Sequence, residues 1–135
     1  MDPPSGERLL NALTSSSDLV VFSAAVPQQG GDSHINEQYQ SHWAAKFAHR
    51  GFQPFDLIRP LIWGHPDVCW WYQQNILVYA NSLAQKRYEL SDSQAMIDVI
   101  HPVLYNRTRN PDNWGGRPMA RAMVKKVKRR LTLRH

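Results

Sequence analysis

The loop between Gln28 and Gln38 contains the side chains best suited to acid–base chemistry and substrate binding in this sequence. His34 could act as a general base, and Glu37 could orient it or bind an acceptor hydroxyl or amine. These two are therefore the candidate catalytic residues. The candidate substrate-binding residues are polar or small members of the same loop, namely Gln29, Gly30, Gly31, Asn36 and Gln38. A structural alternative is that Asn36 and Glu37 cap the following helix while the other residues hold the shape of the loop.

For the other reactive side chains, the sequence favours structural roles over catalytic or metal-binding ones. The spacing of His34, Glu37 and His42 does not match a recognised metal-ligand motif, so we expect no metal site. Cys69 is the only cysteine, which excludes an internal disulfide and predicts a buried thiol. Arg59 either pairs with an acid inside the fold or meets an anionic substrate, and pairing is favoured. Aromatic residues outside the loop are expected to pack in the core and its lid rather than form a stacking platform: Trp43, Trp63, Trp70, Trp71 and Tyr72.

The elements that would position this loop can be predicted from apolar patterning. Residues 19–26 form a continuous apolar run, which predicts a strand buried on both faces of a parallel sheet. The loop leaves the carboxyl end of this strand, where open α/β sheets bind ligands. A helix is predicted over residues 37–50 and a second strand within residues 52–60. A third strand over residues 75–80 is expected to pair antiparallel with the second, because the two are close in sequence.

Further helices are predicted towards both ends of the chain. Ser5 is a plausible N-cap for a short N-terminal helix, and residues 91–101 have apolar residues at helical spacing. Residues 106–117 are predicted to form a polar loop. Residues 118–135 are predicted to form a basic amphipathic helix, because apolar residues recur there at every fourth position.

Charge is distributed unevenly along the chain. Residues 113–135 contain eight Lys and Arg and no acid, whereas residues 1–112 contain eight basic and eleven acidic residues. The basic segment 117–135 could be a solvated helix face, or it could bind nucleic-acid phosphates or an anionic membrane surface. The N-terminal sequence has no signal-peptide pattern, and no apolar run approaches the length of a membrane helix. We therefore expect a soluble, cytoplasmic protein.

Several unusual segments occur in a characteristic order. They read FSAAVPQQGG at residues 22–31, HINEQ at 34–38, RPLIW at 59–63 and WWYQQN at 70–75. They resemble a bacterial subfamily of class I S-adenosylmethionine-dependent methyltransferases, which carries FSAAIPGQGG, HVNEQ, RPRIW and WWYRQN. The resemblance covers roughly residues 3–80, with weaker similarity to residue 105. Gln28 and Leu61 stand where that subfamily has glycine and arginine.

The resemblance implies an α/β protein with a partial Rossmann-like methyltransferase fold of about three strands, the last one antiparallel, with flanking helices and a C-terminal basic helix. Residues 1–105 would be the C-terminal half of a methyltransferase-like domain, followed by the polar loop 106–117 and the helical tail 118–135. The loop at residues 28–38 would face the methyl acceptor. The family's cofactor site lies mainly in the N-terminal half, and this sequence has no GxGxG motif. S-adenosylmethionine is thus implied by resemblance alone.

Three functions follow as hypotheses. The first is methyl transfer from S-adenosylmethionine to an unknown small-molecule acceptor, if a complementary segment or chain supplies the missing half. The second is a catalytically silent remnant that acts as an interaction module, and the third is a small nucleic-acid-binding protein that uses its basic tail. A half sheet would expose an edge and a face, which predicts either a homo-oligomer or a complementary chain that covers them.

Overall fold

The computed structural model describes residues 3–30, 36–91 and 96–109, and its contacts divide the chain into two units, Met1–His101 and Pro102–His135. In the first unit the helices are α1 (Pro3–Ser16), α2 (Gln40–Ala48), α3 (Arg59–Ile62), α4 (Trp70–Asn75) and α5 (Ser82–Arg87). Its strands are β1 (Leu19–Phe22), β2 (Gln53–Phe55) and β3 (Leu77–Ala80). The second unit contributes α6 (Pro102–Arg109). The described residues therefore form a mixed α/β fold, as the sequence predicts.

The three strands form one sheet in the order β1-β3-β2. β3 pairs antiparallel with both neighbours, so that Tyr79 lies opposite Val20 on one side and Pro54 on the other. The predicted antiparallel pairing of the second and third strands is confirmed. All four residues of β3 are buried because the strand is central and covered on both faces. Pro54 is tolerated in β2 because that strand lies at an edge of the described sheet.

One face of the sheet packs against α1 and α2. Val20, Leu77 and Tyr79 meet apolar side chains of the two helices, including Leu10, Trp43 and Phe47. The Phe47 ring stacks on the Tyr79 ring with centroids 3.9 Å apart. Burial of aromatic rings at this density makes this face the main core of the first unit.

The opposite face is covered less completely. Phe55, Val78 and Ala80 pack with Ala84 of α5, but Val21 in β1 is 52% exposed. The prediction of a strand buried on both faces is therefore wrong for β1, and so is the expected parallel pairing among the described strands. The apolar run predicted burial, but α5 covers the opposite face only in part, so that Val21 of the edge strand β1 stays exposed.

Helix boundaries differ from the predictions where local hydrogen bonds decide them. α1 begins at Pro3, so Ser5 lies inside it and accepts a hydrogen bond from Arg8. α5 was not predicted, although Asn81 is an N-cap whose Oδ1 accepts from the backbone N–H groups of Leu83 and Ala84 at 3.0 Å. Gly51 follows α2 with a positive φ of 78°, as expected just beyond a helix end.

The helix predicted over residues 91–101 is absent from residue 91 and residues 96–101, and residues 92–95 lie outside the described part. The physical reason is tertiary. The carbonyls of Met96 and Ile97 accept hydrogen bonds from Arg59, and that of Val99 accepts from Gln40. Long-range donors satisfy these carbonyls, so that the segment does not need helical hydrogen bonds.

In the second unit, α6 extends to Arg109, so the predicted polar loop 106–117 is wrong for residues 106–109. The Arg109 guanidinium donates to the Tyr105 hydroxyl at 2.7 Å and lies 5.3 Å from the centre of that ring. This i,i+4 pair stabilises the last turn. Residues 110–117 and the predicted tail helix lie outside the described residues, so binding of nucleic acid or an anionic membrane through residues 117–135 stays a prediction. No helix in the described ranges is long and apolar enough to cross a membrane.

Two predictions of burial are wrong. Cys69 is exposed, and Trp63, Trp71 and Tyr72 are each at least 40% exposed. These side chains belong to short helices and turns on the protein surface, where a helix of four to six residues offers too little opposing surface for complete burial. Among the five aromatic residues considered, Trp43 is the one that enters the core, at 4% exposure.

Candidate functional site

The loop after β1 is held by the carboxylate of Glu37. Its Oε2 accepts from the backbone N–H of Gln28 at 2.8 Å, and its Oε1 accepts from that of Gly30 at 3.1 Å. Both loop residues have positive φ values, of 68° and 72°, so that two nearby amides point at one carboxylate. Such conformations favour glycine, and Gln28 adopts one at the position where the resembling subfamily has glycine. Glu37 therefore fixes the backbone of the candidate loop.

The capping alternative for Asn36 and Glu37 is wrong. α2 begins at Gln40, and its N-cap residue, Tyr39, makes no side-chain capping hydrogen bond. Glu37 instead stabilises the loop that precedes the helix, because its two oxygens accept from the amides of Gln28 and Gly30. The alternative assigned the shape of the loop to the other residues of the segment, whereas in the structure Glu37 itself holds the loop backbone.

Gln29 points into the protein. Its Oε1 accepts from the backbone N–H of Val26 at 3.3 Å and from the side-chain amide of Asn75 at 2.7 Å. A longer contact of 3.5 Å joins it to Gln74 Nε2. The predicted substrate-binding role of Gln29 is therefore not available to this oxygen, which ties the loop to the end of α4.

Gln74 and Asn75 belong to a larger set of polar side chains, which we call the buried polar network: Gln29, Gln40, Asp56, Arg59, Gln74 and Asn75. The Gln74 carbonyl accepts from Gln40 Nε2 at 3.2 Å and from Arg59 Nη1 at 3.3 Å. Gln74 Oε1 accepts from the backbone N–H of His101 at 2.7 Å. The network therefore joins the loop after β1, α2, α3, α4 and residues 96–101.

Arg59 is the charged centre of this network and is 2% exposed. It donates to both oxygens of Asp56, at 2.8 and 2.9 Å, in a bidentate pair. Its remaining donors reach the carbonyls of Gln74, Ile97 and Met96. The prediction that Arg59 pairs with an acid inside the fold is confirmed. A buried guanidinium with partners on this many segments fixes their relative positions.

A cleft of about 370 Å³ opens beside this loop, between the start of α1 and the first turns of α2. The described residues that line it are Pro4, Gly6, Glu7, Asn36, Gln38, His42, Trp43 and Lys46. Two of the predicted substrate-binding residues, Asn36 and Gln38, are in this lining and contact each other, with Gln38 Nε2 donating to Asn36 Oδ1 at 3.3 Å. Glu37, Gln29 and Gly30 are not in the lining. Gly31 and His34 lie outside the described residues.

Sequence reasoning missed the charged wall of the cleft. Glu7 of α1 accepts from Lys46 and, at 2.6 Å, from Arg50, which also donates to Asn11. We call Glu7, Asn11, Lys46 and Arg50 the ion cluster. A signal was present, because His42, Lys46 and Arg50 recur at every fourth residue and therefore share one side of the helix and the turn that follows it.

The ion cluster and burial shift two pKa values in the cleft. The hydrogen bond from Lys46, followed by that from Arg50, lowers the pKa of Glu7 below its ordinary value. Burial lowers the pKa of His42, and the nearby charge of Lys46 adds to the effect. At neutral pH the cleft therefore holds an ionised Glu7 and an uncharged imidazole.

The described residues do not fit S-adenosylmethionine. The acid that follows a strand, Asp56 after β2, is held in a bidentate pair by the buried Arg59, which directs its carboxylate into the protein network rather than towards a ribose. The turn amides of Gln28 and Gly30 are directed at Glu37. No group of three or more His, Cys, Asp or Glu residues in the described ranges is arranged to hold a metal ion.

In comparisons with protein-family models, curated proteins and solved structures, nothing matches this chain.

Proposed function

We propose that this chain is the acceptor-binding half of a methyltransferase-like domain with a partial Rossmann-like fold. It would contribute to methyl transfer from S-adenosylmethionine to a small-molecule acceptor when a complementary segment or chain supplies the cofactor site. The observation that carries the proposal is that the segments of the resemblance, although distant in sequence, meet in one network. Gln29 contacts Asn75 at 2.7 Å, and Arg59 contacts the Gln74 carbonyl at 3.3 Å.

The order of the strands also supports the proposal. β3 lies between β1 and β2 and is antiparallel to both, so β1 and β2 run in the same direction. The resemblance implies about three strands with the last one antiparallel, and the described sheet is compatible with that arrangement. The network lies where β1 ends and β3 begins, and this is the end of the sheet from which the candidate loop leaves. Ligands of open α/β sheets bind beyond the carboxyl ends of such strands.

The proposal assigns different roles to the loop residues. His34 would be the general base, and Gly31, Asn36 and Gln38 would contact the acceptor. Glu37 would act as a positioning residue, because both of its oxygens hold backbone amides of the loop. A complementary chain or a second copy would cover the exposed side of β1, where Val21 is 52% exposed.

A catalytically silent interaction module is the second candidate function. The hydrogen bonds from the amides of Gln28 and Gly30 to Glu37 favour it, because a carboxylate that holds the loop backbone has a structural rather than a catalytic role. An experiment must therefore separate loop shape from catalysis.

The test is a chimera in which the full chain replaces the second half of a bacterial methyltransferase that carries the FSAAIPGQGG and WWYRQN segments. We expect the chimera to bind S-adenosylmethionine and to methylate that enzyme's acceptor. Glu37→Gln should lower kcat without changing the affinity for S-adenosylmethionine, because the loop amides lose their anionic partner. Asp67→Asn, at an exposed acid outside the network, is the matched control and should change neither quantity.

The outcomes separate the two candidates. A folded chimera that binds S-adenosylmethionine but transfers no methyl group identifies the chain as a silent module. A folded chimera that does not bind S-adenosylmethionine overturns the proposed complementation itself. The full chain alone should show no binding of S-adenosylmethionine in a calorimetric titration, because its described residues do not fit that molecule.

A further inference from the structure

In its described lining, the cleft beside α1 combines several hydrogen-bond donors with one carboxylate, Glu7, that is already paired. Asn36 Oδ1 already accepts from Gln38, and Asn36 Nδ2 lies 3.4 Å from the point that a Cβ on Gly6 would occupy. Lys46 adds an ammonium group to the same lining. The amide nitrogen of Asn36 and the ammonium of Lys46 thus belong to one small space, although they come from different segments.

The first turn of α1 adds backbone donors. Amide N–H groups in a first helical turn have no acceptor within their helix, and the positive end of the helix dipole lies there. Pro3 and Pro4 carry no N–H, so Ser5 and Gly6 provide the first amides of α1. Gly6 also keeps the cleft open, because a side chain at this position would meet Asn36 and Trp43 Cη2, each at 3.4 Å from its Cβ.

Trp43 places in the same region a polar group that has no partner in the described part of the chain. The residue is 4% exposed and lines the cleft, and its Nε1 is buried with no hydrogen-bond partner among the described residues. A buried indole N–H without an acceptor is unfavourable, and a bound acceptor would remove that cost.

The charge balance favours an anion. Glu7 is the one acid among the described residues lining the cleft, and it is compensated by Lys46 and Arg50. The three side chains together carry one net positive charge, although Arg50 itself is not in the lining, and the described part of the lining holds no unpaired carboxylate. Pro4 and Trp43 supply apolar surface beside these donors.

We propose that this cleft binds the anionic group, a carboxylate or a phosphate, of a small molecule with an apolar or aromatic body. The ligand is held by Lys46, the Asn36 amide and the first turn of α1. If the proposed function holds, this ligand is the methyl acceptor, which would then belong to the class of small anionic molecules. Only the identification of the ligand as the acceptor rests on the proposed function; the binding itself does not.

The test measures binding to the full chain, without S-adenosylmethionine, so that its result does not depend on methyl transfer. Benzoate and inorganic phosphate are the anionic probes, and benzamide is the neutral analogue of benzoate. Calorimetry at low salt should detect benzoate or phosphate, and the indole N–H signal of Trp43 should shift in the NMR spectrum. Benzamide should bind roughly tenfold more weakly than benzoate or not at all, because it lacks the charge.

Two variants locate the site. Lys46→Gln should weaken anion binding by roughly tenfold or more, because it removes a charge-assisted hydrogen bond. Gly6→Ala should also weaken binding, because the new methyl group enters the cleft. The fold should be retained, because this methyl group meets its neighbours at 3.4 Å, an ordinary van der Waals distance, and alanine favours a helix more than glycine does. Lys86→Gln removes an exposed lysine from α5, which packs on the opposite face of the sheet, and should leave binding unchanged.

Binding of benzoate alone would identify a carboxylate ligand, and binding of phosphate alone a phosphorylated one; either supports the inference. The inference is overturned if neither anion binds at about 10 mM, if benzamide binds as well as benzoate, or if both cleft variants bind normally. Failure here with an active chimera would leave the proposed function standing with an uncharged acceptor. Anion binding with an inactive chimera would identify a binding module.

Discussion

The buried polar network and the ion cluster both attach α2 to other parts of the first unit, but they differ in chemistry. Four members of the network, Gln40, Arg59, Gln74 and Asn75, are at most 4% exposed, and most of their hydrogen bonds go to backbone carbonyls or carboxamides. In the ion cluster, the side chains of Glu7 and Lys46 are 41% and 30% exposed.

This difference in burial gives the two regions different roles: the network maintains the shape of the loop, and the ion cluster is available for binding. Buried polar groups are costly to leave unpaired, so the network permits one arrangement of the loop after β1. Exposed ion pairs contribute little to stability and exchange partners with solvent ions. The ion cluster can therefore respond to a ligand without loss of the fold, whereas the network cannot.

The largest effect is expected from Arg59→Met. The substitution leaves Asp56 without its bidentate partner and removes donors from the carbonyls of Gln74, Ile97 and Met96. Loss of one partner from a buried ion pair costs about 3–5 kcal/mol of unfolding free energy, measured by urea denaturation. Arg87→Met is the control, because Arg87 is 61% exposed and 3.8 Å from Asp18, and it should change stability by about 0.5 kcal/mol or less. Equal losses in both variants would refute the ranking.

An intermediate effect is expected from Asn75→Ala. Gln29 Oε1 loses its shortest hydrogen bond, at 2.7 Å, and Gln74 Nε2 loses its acceptor on Asn75. A buried unsatisfied group costs about 1–3 kcal/mol, and amide hydrogens of residues 26–30 should exchange faster with solvent.

Asn11→Ala provides the matched comparison for Asn75→Ala, since exposed Asn11 accepts from Arg50 in the ion cluster. It should destabilise the protein less and leave exchange in the loop unchanged. Faster loop exchange in the Asn11 variant would show that the two polar regions are coupled.

The smallest effect is expected from Glu7→Gln, and it depends on pH. Lys46 and Arg50 lower the pKa of Glu7 in the folded protein. The ionised carboxylate therefore stabilises the native state at pH values above 4.5, the ordinary pKa of a glutamate. This stabilisation is lost as the pH falls from 4.5 through the lower pKa that Glu7 has in the folded protein. Glu7→Gln should therefore reduce stability slightly at pH 7 and make stability decline less steeply as the pH is lowered below about 5. Thermal unfolding at low salt measures both effects.

A glutamate elsewhere tests whether this acid dependence belongs to the ion cluster. Glu89→Gln changes an exposed residue after α5 and should keep the acid dependence of the unmodified protein. An unchanged acid profile in the Glu7 variant would assign the effect to other groups. If the stability of the Glu7 variant depends less on both salt and pH than that of the unmodified protein, the effect belongs to the ion pairs of Glu7 with Lys46 and Arg50.

Local patterns predicted the elements whose residues pack along a regular period. The strand predicted over residues 75–80 is confirmed for residues 77–80, while Asn75 ends α4. The core face of α2 around Trp43 and Phe47 is also confirmed, because a helix places its apolar side chains at fixed intervals. Pairing of Arg59 with an acid was predictable, since a guanidinium in an apolar segment requires a partner. The Asn81 cap of α5 was a readable local signal that the apolar pattern did not reveal.

The candidate site was predicted in part. The loop was identified correctly as a feature that leaves β1, and Asn36 and Gln38 line the cleft. Gln29 and Glu37 were assigned to substrate and catalysis by residue type, but in the structure their oxygens bind partners inside the protein. Residue type specifies what a side chain can bond to, whereas the fold decides which partner is nearest.

The sequence by itself determined the α/β character, the position of β3 and the polar composition of the loop. Tertiary structure alone decided that β1 has one exposed face, that residues 96–101 are not helical, and that Gln29 meets Asn75 across 46 positions of sequence. The physical reason is range. Periodicity records the environment of neighbouring turns and strands, while hydrogen bonds between distant segments depend on how those elements pack. The cleft between α1 and α2 exists because of that packing.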